Sequence, residues 1–160
     1  MKNVLLSAAL CCVSAVVAAD AGLTPDVPTR ARGARRVIVA HVLDVHAEFR
    51  TNRFGDQLIV SNVLLEVDET LKGAPAATVW VAVEGGTVGG LTLKVSDMPA
   101  VHSGDRGVFF LDDGADGVQV PHDRGRGVMK LAVTDRVEGG TLTLNEIRQQ
   151  VRQAVGQVAR

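Results

Sequence analysis

Asp112, Asp116, Gly117 and Asp123 stand at the separations of the first, fifth, sixth and twelfth positions of a calcium loop, whose chemistry is a cluster of carboxylate oxygens around a hard cation. Two substitutions weaken the match. Gly114 occupies the third position, where Asp or Asn would supply a ligand, and Asp123 replaces the bidentate Glu. Strand-forming residues flank the segment, so an Asp/Gly hairpin turn is the expected structure. In Gly85-Gly86-Thr87-Val88-Gly89-Gly90-Leu91-Thr92, the outer glycines Gly85 and Gly90 have the spacing of a phosphate loop. Leu91 stands where that loop needs its lysine, and a strand follows in place of a helix with free amides. Paired glycines here supply positive φ for hairpin turns.

The histidines, His41, His46, His102 and His122, have no zinc-like spacing. His41 and His46 are five positions apart on a strand, which places them on opposite faces. His102 and His122 fall in different connections. Ser61, Ser96 and Ser103 are available as nucleophiles, but none lies in a strand-turn-helix elbow, and His102-Ser103 is a turn dipeptide. The acidic residues are scattered without a marked pair. No residue is therefore assigned a catalytic, cofactor-binding or metal-ligating role, and no cofactor is expected.

The elements that would carry these residues begin after an export signal. Lys2 supplies a positive start, Val4 to Val17 an apolar stretch, and Val17-Ala18-Ala19 a small-residue cleavage site before Asp20. The apolar stretch is shorter than the roughly twenty residues that span a bilayer, so residues 1–19 are expected to be removed and no membrane span to remain. Cys11 and Cys12 both fall inside the signal, which leaves a cysteine-free mature chain in an oxidising compartment. The expected location is periplasmic or secreted. Seventeen basic and eighteen acidic residues, for a net charge of −1, provide no field to attract nucleic acid or anionic lipid. Trp80 and four phenylalanines, with only Arg124-Gly125-Arg126-Gly127 as a basic run, make a poor base-stacking groove.

Residues 20–35 contain Pro25, Pro28, Gly22, Gly33 and several arginines without apolar period, and are expected to form an extended leader. Order should begin at residue 36. Val37 to Phe49 reads as a long strand, buried on both faces only at its start. After a hairpin connection at residues 51–56, a second strand places Ile59, Val63, Leu65, Val67 and Leu71 on one face. Thr78 to Val83, Leu91 to Val95, Gly107 to Leu111, Val118 to Val120 and Val128 to Val133 supply further strands between Gly-rich turns. Leu144, Ile147, Val151, Ala154, Val155 and Val158 then recur at helical spacing behind the capping box Thr143-Leu144-Asn145-Glu146. The expected class is all-β: a small antiparallel OB-like barrel over residues 36–142, with a C-terminal amphipathic helix over 143–160.

Several landmarks carry a resemblance: Val37-Ile38-Val39-Ala40-His41-Val42, Leu65-Glu66-Val67-Asp68-Glu69-Thr70-Leu71-Lys72-Gly73, Gly85-Gly86, and Pro99 leading into Gly104-Asp105-Arg106-Gly107-Val108-Phe109-Phe110-Leu111. Together they resemble a widespread type of secreted bacterial β-barrel domain. The first two are also similar, mainly in architecture, to the OB-like barrel of netrin-like domains, including the tissue inhibitors of metalloproteinases. Those inhibitors use an amino-terminal cysteine on the protease zinc, and the expected mature start at Asp20 has none. The resulting expectation is a non-catalytic module that binds an unknown protein in the envelope or outside the cell. Its alternative is an inhibitor or accessory factor of a secreted protease.

Overall fold

The computed structural model describes residues 26–52 and 54–156. The expected signal, with Cys11 and Cys12, lies outside the described residues, as does the end of the expected terminal helix. Among the described residues no helix is long and apolar enough to cross a membrane. The fold is mostly β, as the alternating runs require. Its elements are α1 (Val27–Gly33), β1 (Arg36–Thr51), β2 (Gln57–Lys72), β3 (Thr78–Glu84), β4 (Gly86–Val88), β5 (Leu91–Leu93), β6 (Arg106–Asp113), β7 (Gln119–Pro121), β8 (Val128–Leu131) and α2 (Leu144–Gly156).

Six strands form one sheet in the order β1-β2-β3-β7-β6-β8, and β6 pairs with β1 as well, so the series β1-β2-β3-β7-β6 returns to its first strand. Every pairing is antiparallel except β3 with β7. β4 and β5 make a separate hairpin whose turn residues, Gly89 and Gly90, have φ of 55° and 82°. L-residues with a Cβ avoid that region, which explains the glycine pair.

The two-sided burial expected at the start of β1 is present, and it separates two apolar clusters. Val37 and Val39 join Val108 and Phe110 on the face covered by the helices, together with Leu144, Ile147, Val151 and Ala154 of α2. Ile38, Ala40 and Val42 face the other way, with Val63, Leu65, Val81, Phe109 and Leu111. Strand alternation produces this division, since adjacent residues of β1 and of β6 point to opposite sides.

Residues 20–35 are not an extended leader over their described part, because Val27–Gly33 is helical. The Asp26 side chain accepts a hydrogen bond from the Thr29 amide at 3.2 Å, and Pro28 occupies the first turn. Both are helix-start chemistry. Val27 and Ala31 are fully buried against the α2 cluster, which supplies the apolar contact that so short a helix needs. At its other end, the Lys72 ammonium donates to the carbonyls of Ala31, Arg32 and Ala34 at 2.7, 3.0 and 2.6 Å.

Bulges alter two face assignments. β1 carries an extra residue at Leu43, since Val42 opposes Leu65 while Asp44 opposes Leu64. His41 and His46 therefore share a face, whereas strict alternation would separate them. β2 carries extra residues at Asp68 and Leu71, as Ala40, Val39, Ile38 and Val37 oppose Val67, Glu69, Thr70 and Lys72. Val67 accordingly packs on the second cluster and Leu71 on the first.

Candidate functional site

A groove of about 680 Å³ opens where the upper parts of β1 and β2 pass under the β4–β5 hairpin and the loop that follows it. Val45 and Ala47 of β1 and Val83 of β3 form apolar walls, with Leu93, Val95, Met98 and Val101 closing over them. Glu84, Lys94 and His102 lie at its polar margin. The Leu43 bulge is what turns Val45 toward this side, since Val45 packs on the same cluster as Val42 although three positions separate them.

Ser61 is buried in the groove wall, and its hydroxyl donates to the Gly85 carbonyl at 2.7 Å. The Gly85 amide donates to the Ile59 carbonyl at 2.8 Å, so two bonds hold the corner between β3 and β4. A Cβ on Gly86 would lie 2.5 Å from the Ser61 hydroxyl oxygen and 3.0 Å from the Ala47 Cβ. The double glycine is thus a close-approach corner. Leu91, at the position of the phosphate-loop lysine, is an exposed apolar residue at the hairpin tip.

The loop roofing the groove is tied down by Arg124, which donates to Asp97 at 2.6 and 3.2 Å and to Glu84 at 2.9 Å. These hydrogen bonds hold the Asp97 carboxyl below the ordinary carboxylate range and push the guanidinium up. Gly125 follows because a Cβ there would fall 1.5 Å from the Asp97 carbonyl oxygen. At the loop's far end, burial acts to raise the Asp105 carboxyl. Lys130 at 2.9 Å and the His102 amide at 2.8 Å outweigh it, and the net shift is downward.

The residues singled out for chemistry are dispersed. His41 Nδ1 meets Asp68 at 2.9 Å, and Arg106 donates to the same carboxylate at 3.1 Å. His122 Nδ1 meets Asp112 at 2.7 Å, and its ring lies where a Cβ on Gly33 would fall. His102 borders the groove, and His46 is exposed on β1. In the calcium-spaced set, Asp112 is occupied by His122 and by the Arg35 amide at 3.2 Å, and Asp123 pairs with Arg126 at 3.2 Å. The Asp116 side chain lies outside the described set. Among the described residues, no three His, Cys, Asp or Glu side chains gather as a cation site. Ser96 lines the groove, whereas Ser103 sits in an exposed turn. Phe109 and Phe110 are buried, while Phe49, Phe54 and Trp80 are exposed to solvent.

Sequence reasoning did not reach the groove, because its walls come from four separate stretches brought together by a bulge and two ion pairs. The signal that was readable is the apolar Val95, Met98 and Val101 series in a connection otherwise rich in polar residues. No family model and no curated protein matches the chain.

Proposed function

We propose that the chain is an exported, non-catalytic module that binds another protein, built on an OB-like barrel and holding its partner in the groove beneath the β4–β5 hairpin. The observation carrying this reading is the groove's composition, an aliphatic centre of Val45, Val83, Leu93, Val95 and Met98 within a margin of Glu84, Lys94 and His102. An apolar centre inside a polar rim is the anatomy of a protein interface. The barrel assignment is supported by the return of the pairing series to β1 and by the parallel β3–β7 pair. Export rests on the signal-like pattern of residues 1–19.

The test is capture from the source cells' envelope and culture fluid on the immobilised protein, beside a Met98→Arg variant checked for native circular dichroism. A stoichiometric protein retained by the parent and lost by the variant is the expected result. Equal retention by both, or an empty column, overturns the reading. A protease among the retained proteins would make the chain an inhibitor or accessory factor, to be checked by titrating that protease's activity. Amino-terminal sequencing of the cellular protein tests export, with Asp20 as the expected first residue.

A further inference from the structure

β3 has a bare edge. The Val67 amide donates to the Ala77 carbonyl at 2.9 Å and the Gly85 amide to the Ile59 carbonyl at 2.8 Å, which sets the phase of the β2–β3 ladder. Val79, Val81 and Val83 direct their backbone groups to β2, while Thr78, Trp80 and Ala82 direct theirs away. On that outer side β7 makes a single parallel bridge, Val81 with Gln119, which takes up the Trp80 carbonyl and the Ala82 amide. Upstream of the bridge the neighbouring chain turns off through the 3-10 segment Ala115–Gly117. Among the described residues, the amide and carbonyl of Thr78 and the amide of Trp80 have no backbone hydrogen-bond partner.

A cavity of about 450 Å³ lies along this edge, lined by Thr78, Trp80, Arg36, Asp113 and Gln119 among others. The Arg36 guanidinium makes no ion pair or side-chain hydrogen bond among the described residues, whereas Asp113 is answered by Arg35 at 3.8 Å. Arg36 and Asp113 balance in formal charge along this lining, and the Arg36 guanidinium is the member open to a new carboxylate. Gln119 Oε1 is a further buried acceptor with no partner.

We propose that the Thr78–Trp80 edge of β3 takes an extended peptide segment of a partner protein as an added strand, with an acidic side chain of that segment set against Arg36. This rests on the protein-binding reading and supplies a second surface for it. Free strand groups are a template for main-chain pairing, and side-chain pockets then set specificity. Thr78 to Trp80 spans roughly 7 Å, the length over which a short strand can pair. The half-exposed Trp80 ring offers an apolar face beside it.

Trp80 is the sole tryptophan, so its emission reports occupancy of this edge directly. The probe is a displayed library of short random peptides selected on the full chain, with retained sequences synthesised and titrated against Trp80 fluorescence. The expected result has three parts. Retained peptides contain Asp or Glu among β-branched residues, and they shift Trp80 emission. Arg36→Glu weakens them by about fivefold or more. N-methylation of alternate peptide amides abolishes binding, a readout that does not depend on how the variant folds. A library yielding no binder, or binders that leave Trp80 emission unchanged or tolerate both Arg36→Glu and N-methylation, overturns the edge proposal. The Met98→Arg capture experiment addresses the wider reading separately, so the two failures are distinguishable.

Discussion

Lys72 and Ala34 meet at 2.6 Å, ammonium to carbonyl, although 38 positions separate them. The last residue of β2 thereby closes the end of α1, where helix carbonyls lack internal partners. Burial there holds the Lys72 pKa below its ordinary value. Lys72→Met, which keeps the aliphatic stem, should lower stability by about 1–2 kcal/mol. Urea denaturation measures the loss, and hydrogen exchange should show α1 amides losing protection before those of β1.

Acid should loosen the loop that roofs the groove. An unfolded Asp carboxyl titrates near 3.8, and the folded Asp105 titrates below that value. The linked stability is complete above the unfolded value and is lost as pH falls through the folded one. Denaturation midpoints followed from about pH 6 to pH 2 should therefore decline less steeply in Asp105→Asn than in the parent, with the variant already weaker at neutral pH. Parallel curves would show that other carboxylates control acid unfolding.

Two glycines should respond differently to alanine. At Gly125 the added Cβ meets the Asp97 carbonyl at 1.5 Å, so the backbone must move, and a loss of about 2–4 kcal/mol is expected. Gly139 has φ of 70° and open space around it, so only the left-handed conformation is penalised, by about 1 kcal/mol. Equilibrium unfolding of both variants checks the order.

Leu43 matters for its presence in the chain more than for its side chain. Leu43→Thr at this exposed bulge should change stability by no more than about 0.5 kcal/mol. Deletion of Leu43 would shift the rest of β1 by one residue and turn Val45 and Ala47 away from the groove. Thermal unfolding and chemical-shift mapping should show a near-native Leu43→Thr variant and a deletion mutant that has lost native packing around β4.

Elements controlled by local chemistry were legible in advance. The terminal helix is one, because Thr143 and Glu146 exchange the expected bonds, with the Thr143 amide 2.7 Å from the Glu146 carboxylate and the Glu146 amide 3.3 Å from the Thr143 hydroxyl. The two-sided burial of Val37 to Ala40 is another, since a continuous apolar run admits few other placements. α1 was missed although Asp26 and Pro28 signal a helix start, because its stability comes from α2, more than a hundred residues away, and from Lys72. The bulges at Leu43, Asp68 and Leu71 left no mark in residue type, so face assignments beyond them drifted. The groove depends on the Leu43 bulge and on Arg124 reaching Asp97 and Glu84, both long-range events.

β1 and β6 each contribute alternate side chains to two separate apolar clusters. Melting of either cluster alone is penalised, because loss of the helical layer bares Val37, Val39, Val108 and Phe110 on strands whose other residues still hold the opposite side together. The penalty for half-unfolding is thus built into the same backbone segments that favour folding. The strands and α2 are therefore expected to unfold together, with the short α1, closed by Lys72, as the part that opens first.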